Sequence, residues 1–451
     1  MDHALVDQNP EPAAPAPSIR ELFQTFGRIG LINFGGPAGQ IALMHRVLVD
    51  EKAWIEEDSY LRALNFCNLL PGPEAQQLAI YVGWRLQGVL GGLIAGVLFI
   101  LPGAGVVTAL SILYAYAADL RPVNAAFLGV KAAVLAVVIE ALLRVSRRAL
   151  KGWFKPLVAL SAFLLLFVFN APFPAVVLGA GVLGFLAAGW RPELLRLKPP
   201  AGAAPPAQTA AAMAGGAIRT ALIWAAMWAA PMGLIFALLG PHHVLFAIGV
   251  FFAKLATVTF GGAYAVLSYM AQEAVNTHGW LKPGEMVDGL GLAETTPGPL
   301  ILVTEFVGFL AAFRTPAPFY PLVAGLIGAA LTLWMTFTPC FLWIFLGAPY
   351  MERLEHARRL QGALAAITAA VVGVIANLTV WFGLHVVFHR FAPLTAGPLR
   401  LSVPQIASAD GQALALSVVA ALLLFRFHLG VVKTLAICVG LGLTIHLLGL
   451  R

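Results

Sequence analysis

Long apolar runs, separated by short polar or turn-forming segments, set the pattern of this chain. Val89 to Leu113, Pro156 to Trp190 and Pro318 to Leu346 contain no charged residue, and each exceeds the ~20 apolar residues that a helical span requires. A membrane barrel would instead alternate apolar and polar positions over about ten residues. The pattern therefore predicts an all-α, polytopic membrane helical bundle of about thirteen transmembrane helices. They fall at residues 20–45, 62–84, 88–117, 122–143, 154–170, 172–190, 217–240, 243–270, 287–312, 317–347, 358–388, 409–428 and 430–450.

The same signature occurs twice at a fixed offset of 226 positions. Phe34-Gly35-Gly36 recurs as Phe260-Gly261-Gly262, Trp54 as Trp280, and Pro71-Gly72-Pro73 as Pro297-Gly298-Pro299. Residues 34–73 and 260–299 share ten identities, where chance gives about three, so the chain contains a diverged internal repeat. After an insertion of eleven residues near Arg314 to Pro321 the offset becomes 237, pairing Pro102 with Pro339 and Ala132-Ala133-Val134 with Ala369-Ala370-Val371.

Basic residues orient the spans. Arg144, Arg147, Arg148, Lys151 and Lys155 cluster between two spans, as cytoplasmic loops do. Counting crossings from that loop puts the N-terminus, Arg191, Arg196, Lys198, Arg353, Arg358, Arg359, Arg426 and Lys433 inside, and the acidic loop Asp50 to Asp58 outside. The span at 217–240 adds one crossing between the halves, so the two repeats are inverted, the arrangement of many secondary transporters. The expected organisation is a disordered tail at 1–17, a first repeat at 18–190, a linker at 191–216, a connecting helix at 217–240 and a second repeat at 241–451.

Composition agrees with this reading. The chain is 60% hydrophobic and 11% charged, against the ~25% charged residues of soluble domains. Its net charge of +7 follows from the topology of the basic loops, and no nucleic-acid partner is expected. Cys67, Cys340 and Cys438 are scattered through apolar sequence and read as small packing residues. The first seventeen residues lack a basic region followed by a short apolar run, so no cleaved signal peptide is expected.

Chemistry concentrates where the helices should break. Pro71-Gly72-Pro73 lies within one expected span and Pro297-Gly298-Pro299 within its counterpart. Two prolines around a glycine remove backbone donors and disfavour helical geometry. The amides that follow carry the positive end of a helix dipole and attract anions. Unwound backbone survives at membrane depth only inside protein or beside a wet cavity, so a symmetric pair of breaks points to a central substrate site; plain proline kinks are the alternative. Gly35, Gly36, Gly261 and Gly262 serve either such a site or close helix packing. Arg28 and Lys254 occupy equivalent positions about two turns before the glycine pairs. A cation buried in the bilayer marks a pathway or a paired site, whereas one near a span end snorkels to the surface.

Three carboxylates flank the breaks: Glu74, Glu294 and Glu305. At an anion site they are protonated, paired with Arg28 or Lys254, or used as proton carriers. Asn65, Asn68, Gln76, Gln77, Thr257, Thr259, Thr295 and Thr296 offer neutral groups that replace lost hydration, although threonines also satisfy their own helix backbone. Lys131 faces Thr368 in the second register and lacks a charged counterpart, which makes it a weaker candidate. No zinc motif and no GxxxxGK[ST] phosphate loop occurs, so no cofactor, metal or built-in ATPase is expected. A membrane enzyme on lipid-linked substrates would need an acidic or His cluster at one interface, and only Glu51 to Asp58 offers one.

Phe34-Gly35-Gly36-Pro37, Leu70-Pro71-Gly72-Pro73 with Glu74-Ala75-Gln76-Gln77 and Tyr81-Val82-Gly83, then Thr259 to Val266 and Glu294 to Pro299, resemble the chromate ion transporter family in its long form with two fused domains. The resemblance implies a multi-pass protein of the cytoplasmic (inner) membrane, surrounded by lipid, that exports chromate and confers chromate resistance. It implies drive by exchange with protons or a counter-anion, and a basic residue at the position of Arg28. Sulfate has the same charge and geometry as chromate and stays open as cargo. Short relatives work as pairs of single-domain chains, so a fused chain is expected to act as a monomer or homodimer.

Overall fold

The computed structural model describes residues 17–34, 36–118, 120–197, 209–260, 263–351, 357–396 and 399–449. Gly35, Gly261 and Gly262, residues 1–16 of the expected tail and residues 198–208 of the expected linker lie outside the described residues.

The first half runs α1 (Ile19–Ile32), α2 (Gly36–His45) with a π-helical turn Arg46–Glu51, α3 (Glu57–Cys67), α4 (Glu74–Ala117), α5 (Arg121–Ala149), α6 (Phe154–Phe167) and α7 (Phe173–Trp190). After α8 (Thr209–Leu239) the second half repeats it: α9 (Val244–Val258), α10 (Ala263–Gln272) with a π-helical turn Glu273–Thr277, α11 (Pro283–Thr295), α12 (Val303–Arg314), α13 (Pro321–Gly347), α14 (Arg358–Val387), α15 (Gly411–Ala421) and α16 (Val431–Leu447). Even the two π-helical turns correspond. Local chemistry sets the starts: Ser18 and Glu21 close a capping box on α1, which satisfies two otherwise orphaned amides. Proline opens α5, α7, α11 and α13, where its missing N–H costs nothing. The one sheet among the described residues is a hairpin of β1 (Phe391–Ala396) and β2 (Leu399–Pro404), with Phe391 opposite Pro404.

The molecule is thus a polytopic all-α membrane protein built as an inverted repeat, and every expected apolar segment is helical. Among the described residues, six helices are individually long and apolar enough to cross a bilayer. The 44 residues of α4 do not form one rod, because Gln87 (φ −140°) and Gly88 (φ +62°) leave helical geometry. Its two limbs pack antiparallel: a Cβ on Gly83 would lie 2.3 Å from the Gly91 carbonyl oxygen. In the second half Gly308 and Gly328 make the same close approach between α12 and α13.

Four of the expected segments fold back on themselves at their breaks. Arg314, ending α12, makes a two-armed ion pair with Glu285, at the start of α11, at 2.8 and 2.9 Å. A continuous helix would separate those residues by about 43 Å. Phe66 of α3 meets Tyr81 of α4 at 6.3 Å, and Phe251 of α9 meets His278, beyond α10, at 5.7 Å. Lys52, beyond α2, lies close enough to Glu21 of α1 for the two charges to interact.

Hydropathy reads each pair of half-length helices as one span, and this corrects the expected topology at one loop per half. Residues 46–57 return to the end that carries the 144–155 basic cluster, so the acidic loop Asp50 to Asp58 sits there and not opposite. Residues 278–283 move the other way. Because each half contains two such pairs, every other loop keeps its side and the inversion stands.

The halves interlock at their breaks. Gly72 donates its N–H to the Thr259 carbonyl at 2.8 Å, and Gly298 donates to the Asn33 carbonyl at 2.8 Å. Gly72 and Gly298 are equivalent at offset 226, as are Asn33 and Thr259, so the pair of bonds is reciprocal. They satisfy backbone groups that lipid cannot. α13 contributes Cys340, Phe341 and Phe345 to the core around α1–α4, while α4 contributes Ala104, Val107 and Tyr114 to the core that holds α9–α12. Gly298 (φ +98°) sits against Gly103, where an added Cβ would lie 2.2 Å from the Pro297 carbonyl oxygen. Gly103→Ala must therefore push the halves apart, at a cost of about 1–3 kcal/mol. We expect a lower midpoint of thermal unfolding in detergent. An unchanged midpoint would show that the junction yields freely.

Candidate functional site

Two adjoining cavities open where the halves meet. The larger, about 480 Å³, is lined by Gly36 and His45 of α2, Tyr60 of α3, Arg144 and Arg148 of α5, and Tyr264 of α10. The second, about 390 Å³, is lined by Gly72, Cys67 and, from the second half, Thr368. Asn68, Glu74, Val145 and Arg148 line both.

The reason these groups converge is local. Pro71-Gly72-Pro73 stops α3 and restarts the chain as α4 with Pro73 as its N-cap and no side-chain cap, so the first amides of α4 stay open at the positive end of its dipole. Gln77 turns back to donate its Nε2 to the Pro71 carbonyl at 2.7 Å. α5 is helical through Ala149, which puts Arg144 and Arg148 one turn apart on one face. Arg144 pairs with Glu140, and Tyr264 donates its hydroxyl to Glu294 at 2.8 Å. Two guanidinium groups and open amides against the single lining carboxylate Glu74 make the space suited to an oxyanion.

Several residues singled out in the sequence meet here and others do not. Gly36, Asn68, Gly72 and Glu74 line the cavities, and Glu294 touches the wall through Tyr264. Pro71 and Pro73 shape that break. Pro297, Gly298 and Pro299 are buried in the interlocking junction, where Gln40 Nε2 donates to the Gly298 carbonyl at 2.6 Å. Thr295 and Thr296 donate to Leu292 and Ala293 of their own helix, and Asn65 is exposed and lines neither cavity. Glu305 is buried and accepts from the Thr108 hydroxyl.

Arg28 and Lys254 are exposed, not buried, and line neither cavity. The buried stripe of α1 is Leu22, Thr25, Phe26 and Ile29, and at 3.6 residues per turn position 28 falls off it. Position 254 falls off the corresponding stripe of α9, and Lys254 lies over the Tyr269 ring at 5.8 Å.

Sequence reading missed Arg144 and Arg148 as site residues, because their cluster already had a topological explanation; their i,i+4 spacing was the available signal. It also missed Asp288. Lys131 Nζ lies 3.1 Å from Asp288 Oδ1, and Tyr114 donates to Oδ2 at 2.8 Å, forming a buried polar cluster between the halves.

Comparison with known proteins agrees with the repeat. The chromate transporter family profile matches residues 20–185 and 246–443, one match in each half. The chain is 33% identical over 399 residues to the chromate transport protein of Pseudomonas aeruginosa, covering 87% of each. It is 31% identical over 374 residues to that of Cupriavidus metallidurans, covering 81% of this chain and 83% of the relative. An uncharacterized transporter of Methanocaldococcus jannaschii is 25% identical over 370 residues, covering 82% of this chain and 86% of the relative. No solved structure matches the chain. With both halves matched and the similarity running through most of its length, this chain belongs to the chromate transporter family.

Proposed function

We propose that this protein exports chromate, or a tetrahedral dianion of the same charge and shape such as sulfate, across the cytoplasmic membrane by gradient-driven alternating access, and so confers chromate resistance. The observation that carries the reading is the meeting of Arg144, Arg148 and the open amides of α4 around one space between two inverted halves. The relatives' names supply chromate as cargo. The positive-inside rule makes the basic end cytoplasmic, so the dianion enters from the cytoplasm.

In this mechanism the arginines draw the dianion in and Asn68 replaces part of its hydration. Residues 18–190 and 241–451 rock against each other about the interlocked breaks, with 191–216 as linker and 217–240 as connecting helix. Glu74, at the cavity wall, carries the exchanged proton, with Glu294 and Glu305 as further stations. The lipid-embedded chain works as a monomer or homodimer, without cofactor.

Chromate accumulation in everted vesicles energised by respiration tests this, because export then appears as uptake. Uptake that collapses with an uncoupler and is inhibited by sulfate is expected. No uptake despite normal insertion removes chromate as cargo. Glu74→Gln should abolish uncoupler-sensitive accumulation while leaving exchange of labelled for unlabelled sulfate intact; full accumulation would mean that protons travel elsewhere.

A further inference from the structure

A second cavity lies at the opposite end, and its walls are the internal-repeat counterparts of the first. Ala42, His45, Ala141, Arg144 and Arg148 of the basic-end cavity become, at offsets 226 and 237, Ser268, Ala271, Leu378, Trp381 and His385, all of which line a space of about 160 Å³. The basic-end cavity is about 480 Å³, so the pair is unequal: one side is open and its counterpart constricted.

Two features distinguish the constricted side. First, its arginine positions hold Trp381 and His385, and its polar groups are neutral: Gln272 donates to Asn170 at 2.6 Å, and Asn377 to Ser268 at 3.5 Å. Second, only four residues, 150–153, join α5 to α6, whereas 388–410 join α14 to α15 and contain the β-hairpin. Phe391, Leu401 and Ser402 of that segment line the cavity, and the Phe391 ring stacks on His385 at 4.4 Å.

We infer that this cavity is the extracytoplasmic vestibule for the same oxyanion, and that the β1–β2 hairpin is its lid. The inference rests on the alternating-access reading above. Inverted repeats reach their second state by exchanging conformations, so the constricted space opens as the basic-end cavity closes. Neutral Asn, Ser and Gln groups accept a dianion from the centre without holding it as two guanidinium groups do. The side that captures is charged, and the side that releases is not.

Thiol accessibility in the full-length chain tests this, with the buried Cys340 and Cys438 retained and Cys67, which lines the basic-end cavity, replaced as Cys67→Ala. Asn377→Cys should react with a membrane-impermeant maleimide in intact cells and not in everted vesicles, and Asn68→Cys should show the reverse. Ser402→Cys is the second reporter if Asn377→Cys fails to insert. Bridging Gln272→Cys to Leu401→Cys with a bismaleimide should stop sulfate and chromate flux while leaving Asn68→Cys labelling from the cytoplasmic face unchanged. Labelling of Asn377→Cys from the cytoplasmic face only, or full flux through the bridged protein, would overturn the assignment. Labelling is read without cargo, so a chain that moves neither anion would sink the proposed function while the vestibule stood or fell on labelling alone.

Discussion

Neutralising both arginines, as R144Q/R148Q, is expected to raise the half-saturating chromate concentration for uptake into everted vesicles by about 100-fold, with normal insertion. A hydrogen bond to a charged group contributes about 1.5–3 kcal/mol, and each 1.4 kcal/mol is a factor of ten in affinity. Arg144 is shared with Glu140 and 46% exposed, so most of the loss should come with R148Q alone. Arg148→Lys keeps the charge but loses the planar fork, and should fall between. Unchanged half-saturation in the double variant would remove the cavity from the transport path. The companion measurement is Arg28→Gln with Lys254→Gln. Both side chains are exposed on the outer faces of their helices, so half-saturation should move less than threefold. A large effect there with none at Arg144 and Arg148 would restore the site expected from sequence.

What the sequence made legible was whatever the repeat repeats. The constant offset marked both breaks, and with them the junction in which Gly72 and Gly298 bond reciprocally across the halves. It was silent on direction. Hydropathy measures how apolar a stretch is, and α9 followed by α10 is as long and as apolar as a span. Only contacts such as Arg314 with Glu285 reveal that the chain turns back. The site was half legible for a related reason. Glu74 and Asn68 flank the signature and line the cavities. Arg144 and Arg148 lie outside it and belong to one half only, since their counterparts are Trp381 and His385. Repeat-based reasoning favours symmetric pairs such as Arg28 with Lys254, whereas the two cavities are unequal and lined by different residues at equivalent positions.

The same asymmetry makes Lys131 and Asp288 the second place where a large effect is expected. Their counterparts, Thr368 and Arg62, form no such pair. Asp288 is 7% and Lys131 25% exposed, and removing one partner of a buried pair costs about 3–5 kcal/mol because the other charge is stranded. Lys131→Met should therefore lower the thermal unfolding midpoint in detergent sharply, with the cost near the lower end of that range. Replacing both, as K131M/D288N, should recover most of the loss, since a stranded charge costs more than an absent pair. Simple additivity of the two single losses would mean that the groups do not act together. The pair ties α5 of the first half to α11 of the second, toward the end whose cavity is constricted, and Tyr114 of α4 adds a third tie. In the proposed mechanism it is a clamp at one end only. Its loss should favour the opposite state and speed external labelling of Asn377→Cys. Destabilisation with no change in that labelling rate would reduce the cluster to a structural bond.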